Sequence, residues 1–352
     1  MIRLQPRLHT AKWLDWASPL MAIVLTLLVS SVMFWVLGTD PVEALQVFFI
    51  QPISSLYGLS ELLLKATPLI LIGIGLSFGF RAGIWNIGAE GQLVMGGVAA
   101  GAVALALSEV NSSWILVLMA LAGVLGGMAW GALPALLRTR FNTNEILTSL
   151  MLTYVAGLFL SLMVHGPLKD PDGFNFPESA LFHDAALLPV LFDQGRAHIG
   201  FILALILAPV ASYLFARHLL GFQLRLQGQA PKATRFAGFC ESRLDWTAFL
   251  LGGGLAGLAG MMEVSGSVGQ LVPVISPGYG FTAIIVAFLG RLHPVGIVPA
   301  GLLMALSYMG GEAAQISLSL PNAVTGVFQG MLLFFLLGSA VISQYRIVWG
   351  RN

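Results

Sequence analysis

Charged side chains are scarce in this chain: Asp, Glu, Lys and Arg together make up 9% of its 352 residues. A soluble globular domain carries about 25% of such residues, so the composition excludes a soluble enzyme or binding domain. Hydrophobic residues reach 57%, which predicts a polytopic membrane protein. The net charge of +1 leaves no basic patch of the kind that nucleic-acid binding requires.

Cysteine is almost absent, and Cys240 is the single one. One thiol cannot form an internal disulfide or a cysteine metal cluster, so we predict neither a disulfide framework nor a metal site. The sequence also lacks a Gly-x4-Gly-Lys-Ser/Thr phosphate loop. We therefore predict no catalytic residue and no cofactor bound by this chain. If ATP drives its activity, ATP and Mg²⁺ are bound by a separate polypeptide.

Long apolar runs are what the sequence does contain, and about 20 such residues suffice for one membrane crossing. The predicted spans are Trp16 to Leu37, 61–80, 90–108, 114–137, 145–165, 198–216, 247–268, 279–290, 294–311 and 323–342. Ten spans predict an all-α fold with one transmembrane domain over residues 1–352. The Pro-interrupted stretches 41–57 and 269–278 are predicted to be re-entrant or interfacial.

The basic residues predict the orientation, because Lys and Arg collect on the cytoplasmic side of a membrane protein. With a cytoplasmic N-terminus, only Lys65, Lys169 and Arg196 fall outside, so 14 of the 17 basic residues lie inside. Both termini are therefore predicted to be cytoplasmic.

Two hydrophilic connections are long enough to have a role of their own. The outer loop, residues 166–197, is acidic and contains four prolines; it either caps the outer mouth and meets a soluble partner or is an ordinary solvated loop. The inner loop, residues 217–246, mixes basic residues with spaced apolar ones and a run of small residues. It is predicted to form a short amphipathic helix at the membrane surface.

A polar, glycine-rich segment, "GIWNIGAEGQLVMGG" (83–97), interrupts the apolar runs. Backbone can leave helical geometry at membrane depth only where it is buried in protein or lines water. We predict a break followed by a half-helix that begins near Glu90, with Asn86 and Gln92 beside it. These side chains either line a path or gate, as in transporters built on broken helices, or only satisfy the broken backbone. The segment 276–285 is a rough counterpart, which suggests an inverted internal repeat.

Other candidate residues lie inside or near the predicted spans. A carboxylate such as Glu263 costs about 2.5–3.5 kcal/mol at a helix centre, so it either serves the path or makes a buried structural hydrogen bond. Lys65 is predicted to anchor its span by reaching outward. The rings of Trp85, Tyr279 and Phe281 either stack on a ligand or pack.

Several spaced segments resemble, in order, the motifs of permease subunits of ABC importers in the ribose/nucleoside (branched-chain amino acid/simple sugar) group. They are "GIWNIGAEGQ" (83–92), "FNTNEILTSLMLTYV" (141–155), "GQAPKATRFAGF" (228–239), "LAGLAGMMEVSG" (255–266) and "YGFTAIIVAFLGRLHPVG" (279–296). The form that contains tryptophan is more similar to the nucleoside branch. Ala230 and Thr234 depart from the family pattern, which has Asn and Ala at these positions.

The resemblance implies a multi-pass protein of the bacterial plasma (inner) membrane that works in a complex. Its implied partners are two ATP-binding subunits, a second related permease or another copy of this chain, and an extracytoplasmic solute-binding protein. Residues about 228–240 would form the coupling helix that docks on the ATP-binding subunit. The implied contact residues are Lys232, Ala233, Arg235, Ala237 and Gly238.

Two classes of function remain open from the sequence. The first is the permease of an ATP-driven importer that moves a small neutral solute, a nucleoside or a simple sugar, into the cytoplasm. The second is a secondary transporter driven by an ion gradient, with Glu90 or Glu263 carrying the proton. The inner loop favours the first class, and the scarcity of intramembrane carboxylates disfavours the second.

Overall fold

A computed structural model describes the backbone of residues 2–6, 12–321 and 323–349, and the side chains of residues 17–321 and 323–339. Arg7 and Arg351, both counted in the predicted orientation, lie outside the described residues. The chain divides into two compact units, a terminal unit (residues 1–55 and 306–352) and a central unit (residues 56–305). One transmembrane domain over the whole chain stays a prediction.

The terminal unit brings the two ends of the chain together. It contains β1 (Ile2–Pro6), α1 (Lys12–Val36), α2 (Pro41–Phe49), a 3-10 turn (Gln51–Ile53), the later part of α12 (Pro294–Leu318), α13 (Ala323–Gln344) and β2 (Tyr345–Trp349). Strands β1 and β2 pair antiparallel, from Ile2 opposite Trp349 to Pro6 opposite Tyr345. This short ladder was not predicted; the all-α prediction is otherwise confirmed.

Helix α2 accounts for the first Pro-interrupted stretch. Asp40 caps the helix, since its Oδ1 accepts the Val42 amide at 2.7 Å and the Glu43 amide at 3.1 Å. At nine residues α2 is too short to cross a bilayer. Its Phe48 ring lies 5.2 Å from that of Phe328 in α13, in the apolar core of the unit.

The central unit is a helical bundle around three buried helices. Its elements are α3 (Leu56–Arg81), α4 (Ala89–Ala106), α5 (Trp114–Phe141), α6 (Glu145–His165), a 3-10 turn (Asp184–Ala186), α7 (Gly200–Arg217), α8 (Leu219–Gln229), α9 (Pro231–Phe236), α10 (Glu241–Met262), a π-helical turn (Glu263–Val268), α11 (Tyr279–Leu289) and the first part of α12. The most apolar windows of α3, α4 and of α10 with its π-helical turn are 83%, 67% and 78% buried, compared with 28% in α5. Helices α3, α4 and α10 therefore form the centre.

Glycine allows these helices to approach closely. A Cβ atom built on Gly123 would lie 2.8 Å from the Met261 Cβ, and one on Gly131 would lie 2.8 Å from the Phe249 carbonyl oxygen. Gly253 is packed on the backbone of α5 in the same way. These glycines therefore serve helix packing, since small residues bring backbones together in membrane bundles.

Eight helices among the described residues are long and apolar enough to cross a membrane, and neither α11 nor the part of α13 with described side chains (323–339) is one of them. The predicted span 323–342 extends beyond that part and stays a prediction. The predicted span 279–290 is therefore wrong as a full crossing, because 11 residues extend only about 16 Å against a hydrocarbon core of about 30 Å. The preceding segment 269–278 packs against α4. Cβ atoms on Gly101 and Gly97 would lie 2.7 Å from Leu271 and 2.6 Å from Ile275.

Candidate functional site

The polar segment predicted to break its span does so at residues 82–88, here called the first break. Helix α3 ends at Arg81 and α4 begins at Ala89. Gly83 has a φ of +74°, which lets the chain turn, and the Ile84 amide bonds back to the Gly79 carbonyl at 2.9 Å. The Ile87 amide donates to the Ser149 hydroxyl of α6 at 3.1 Å. The predicted break is confirmed. The predicted half-helix is wrong, because α4 has 18 residues and is long and apolar enough to cross a membrane.

Asn86 and Gln92 hold the two sides of the first break together. Asn86 Nδ2 donates to Gln92 Oε1 at 3.0 Å, and Asn86 Oδ1 accepts the Gly88 amide at 3.0 Å. Both side chains are buried. Because their hydrogen bonds close on each other and on the backbone, this pair satisfies the broken chain in the described structure.

Glu90 joins the first break to a second one, residues 269–278, which precedes α11. Its Oε2 accepts the Gly280 amide at 2.6 Å, and the Ser276 hydroxyl and the Gly278 amide lie close to the carboxyl. The Ser276 Oγ additionally accepts the Tyr279 amide at 3.0 Å. The amino ends of α4 and α11 therefore meet at one buried carboxyl group, where their dipoles favour negative charge.

Glu263 lies apart from this junction, in the π-helical turn at the end of α10. The Ser267 hydroxyl donates to Glu263 Oε1 at 2.7 Å. A π-helical turn within a helix is frequent at functional sites. The structure thus gives Glu263 a hydrogen-bond partner within its own turn.

The predicted aromatic residues do not form one cluster. Trp85 is 42% exposed, and its ring lies 5.7 Å from Phe288 in a stacked arrangement and 5.2 Å from Phe80. Phe281 is 38% exposed, whereas Tyr279 is buried. Trp85 therefore presents a ring face or edge to the surroundings, and Tyr279 packs.

The outer loop is fastened onto the second break. The Phe182 amide bonds to the Gly269 carbonyl at 2.8 Å, and the Leu188 amide bonds to the Ser265 carbonyl at 3.1 Å. Arg196, at the end of the outer loop, makes a bidentate ion pair with Glu61 of α3, with N–O distances of 2.8 and 2.6 Å. These bonds make the loop an ordered cap over residues 265–271.

The inner loop contains two helices, α8 and α9, rather than the single surface helix that was predicted. Pro231 is the reason: it lacks an amide hydrogen and favours the first position of a new helix. All five predicted contact residues are exposed: Lys232, Ala233, Arg235, Ala237 and Gly238. Arg235, however, already pairs with Glu241 of the same loop at 2.8 Å.

Phe236 is the residue of the inner loop that the sequence analysis missed. Its side chain is 94% exposed at the end of α9, whereas Thr234, two residues earlier, is fully buried. Gly238 has a φ of +78° and no atom within 4 Å of a Cβ built on it. Helix α9 therefore packs against the bundle on the side of Thr234 and exposes the ring of Phe236.

A buried polar network, also missed, ties this loop to the bundle. Gln227 of α8 donates to Asp245 Oδ1 at 2.7 Å, and Asp245 pairs with Arg138 at 3.0 Å. Arg138 in turn pairs with Glu145 at 2.5 Å. Four helices, α5, α6, α8 and α10, therefore meet at one set of charges.

The comparisons with known proteins fit this geometry. The family model described as "Branched-chain amino acid transport system / permease component" matches residues 58–337. A glucose ABC transporter permease protein of Haloferax volcanii is 37% identical over 357 residues, covering 98% of this chain and 93% of its own length. A guanosine ABC transporter permease protein of Bacillus subtilis is 30% identical and covers 95% of each chain. A nucleoside ABC transporter permease protein of Lactococcus lactis is 26% identical, over 92% of this chain and 91% of its own.

Proposed function

Since the chain belongs to the family of permease components of branched-chain amino acid transport systems, we propose that it forms half of the path of an ATP-driven importer for a nucleoside or simple sugar. ABC permeases named for glucose and for nucleosides are its relatives. This membership favours the ATP-driven class over the ion-gradient alternative. ATP and Mg²⁺ are bound by separate ATP-binding subunits. A second, related permease completes the path, with another copy of this chain as the alternative.

The observation that carries the proposal is the exposed face of α9. A fully exposed aromatic ring on an ordered helix is costly in water and typical of the anchor of an interface. Phe236 is flanked by exposed Lys232 and Ala233, which leave room for a partner's groove. We assign residues 231–239 to docking on the ATP-binding subunit, on the cytoplasmic side of the plasma membrane.

The solute path belongs, in this proposal, to the two breaks. The carboxyl of Glu90 and the side-chain amides of Asn86 and Gln92 form hydrogen bonds within the protein. They therefore stabilise the gate rather than bind the solute. Trp85 is the ring available for a sugar face or a nucleobase. A neutral solute suits a path whose buried carboxyl groups would repel an anion.

An extracytoplasmic solute-binding protein is the remaining partner, and the outer loop is its docking site in this proposal. The loop is ordered by the Arg196–Glu61 ion pair and by its bonds to residues 265–271. Contact there could reach the second break without passing through a flexible segment.

The test compares Phe236→Ala with Phe174→Ala. Phe174 is 95% exposed in the outer loop. Because that loop is the proposed docking site of the solute-binding protein, Phe174→Ala is a matched control only for the recovery of the ATP-binding subunits. Truncating an interface anchor costs about 2 kcal/mol or more, roughly a thirtyfold loss of affinity. Phe236→Ala should lose the ATP-binding subunits on purification and lose uptake, while Phe174→Ala should retain the subunits. Equal recovery of the subunits with both variants would contradict the docking assignment.

A further inference from the structure

Helix α8 meets the end of α3 and the start of the first break at Gly228. A Cβ built on Gly228 would collide with the Arg81 carbonyl oxygen and lie 3.2 Å from the Ala82 carbonyl carbon. A Cβ on Gly83 would lie 3.6 Å from the Gly228 Cα. Backbone meets backbone at this point, so a side chain at residue 228 cannot be accommodated by a change of rotamer.

Helix α8 is also prevented from moving away on its own. Leu224 is fully buried, and Gln227, the neighbour of Gly228, holds Asp245 in the network that includes Arg138. Removing one partner from such a buried network leaves an uncompensated polar group, which is costly. A push from residue 228 is therefore transmitted to Arg81–Gly83 rather than absorbed by α8.

The same helix leads directly into the docking face. Only Ala230 separates the end of α8 at Gln229 from the start of α9 at Pro231. On the other side of the contact, Arg81–Gly83 lies where α3 ends and the first break begins. The first break contains Trp85 and leads into α4. A displacement of α9 has a short, packed route to the break.

We infer that Gly228 is the positioning residue through which the inner loop sets the conformation of the first break, and so couples the ATP-binding subunits to the gate. The inference rests on the proposed function of α9 as the docking helix. Glycine at position 228 keeps the two backbones in contact, and a larger residue holds them apart whatever the ATP-binding subunit does.

The test substitutes Gly228→Ala and measures assembly, ATP hydrolysis and uptake of radiolabelled guanosine and glucose in proteoliposomes. The control is Gly157→Ala in α6, where a new Cβ meets nothing within 4 Å. We expect Gly228→Ala to keep its ATP-binding subunits and its hydrolysis, while solute moved per ATP falls about tenfold, within the usual 5–150-fold range of coupling between sites. The binding-protein concentration for half-maximal uptake should not change. Gly157→Ala should behave as the original chain.

A second measurement uses the unsubstituted complex and so does not depend on the variant folding. Hydrogen–deuterium exchange is compared without nucleotide and with ATP plus vanadate. We expect the amides of 219–229 and of 79–88 to change protection together. If Gly228→Ala is not recovered from membranes, this comparison decides alone.

Two results would overturn the inference: unchanged solute moved per ATP in Gly228→Ala, or a change in 219–229 that leaves 79–88 unaltered. Failure of the proposed function has a different appearance. In that case the original chain itself would recruit no ATP-binding subunit or show no uptake that depends on ATP.

Discussion

Replacing Glu90 with alanine removes the carboxyl group at which the amino ends of α4 and α11 meet. The Gly280 amide loses its partner at 2.6 Å, whereas the Gly278 amide keeps the Ser276 Oγ as its acceptor at 3.2 Å. The Gly280 amide belongs to the fixed start of α11 and cannot turn to another acceptor. Glu90→Gln keeps an oxygen acceptor at the same place and is the matched control.

The size of the effect follows from that one amide. A buried donor left without a partner costs about 1–3 kcal/mol, so Glu90→Ala should destabilise the start of α11 by roughly 1–3 kcal/mol. Glu90→Gln loses the charge but not the acceptor, and a charge-assisted bond exceeds a neutral one by about 1 kcal/mol. The alanine variant should therefore be clearly the weaker of the two.

Local hydrogen exchange is the appropriate assay, because it reads the opening of α11 rather than of the whole bundle. Amides of residues 278–282 should exchange at least about fivefold faster in Glu90→Ala, since each 1.4 kcal/mol corresponds to a factor of ten. The assembled complex should still hydrolyse ATP while uptake slows. If exchange at 278–282 and uptake both match the original chain, Glu90 does not hold the junction.

Three further predictions concern the outer loop and the bundle core. Arg196→Ala removes the ion-pair partner of the nearly buried Glu61. Because Arg196 is half exposed, we expect only about 1–3 kcal/mol of destabilisation. Proteolysis within 166–197 should become faster, and an unchanged cleavage rate would contradict this prediction. Burial lowers the pKa of His198 to about 4. The free energy of unfolding should therefore be highest above pH 6.5 and fall as the pH drops from 6.5 to 4. Thermal unfolding scans of His198→Gln should lack this pH dependence. Gly260→Val should lower the stability of the bundle by roughly 3 kcal/mol through overpacking, because a Cβ there meets the Leu93 carbonyl. The expected result is reduced recovery of the variant from membranes. The control is Gly157→Val, where a new Cβ meets open space.

Local patterns in the sequence predicted the parts of the fold that depend on neighbouring residues. Apolar length located each helix that can cross a membrane, and the glycines with Asn86 and Glu90 located the first break. The overestimate came at 279–290, where hydropathy alone cannot distinguish a full span from a half-helix preceded by an extended segment. The two-helix inner loop could have been predicted, since Pro231 is a signal for a new helix start.

Contacts between distant residues could not be predicted from one sequence. Glu90 and Gly280 are 190 positions apart, and Arg138 and Asp245 are 107 apart; only the folded bundle brings them together. The exposure of Phe236 and the burial of Tyr279 are likewise results of packing, because the sequence neighbours of these two aromatic residues do not determine which one is buried. Arg235 and Glu241, six positions apart, were within reach of a local pattern and were missed.

The most direct test is uptake of radiolabelled guanosine and glucose into proteoliposomes that contain this chain and the ATP-binding subunits that purify with it, supplied with a solute-binding protein. We expect uptake that requires ATP, stops with vanadate, and continues when ionophores collapse all ion gradients. Uptake that ignores ATP and vanadate but disappears with the ionophores would contradict an ATP-driven permease.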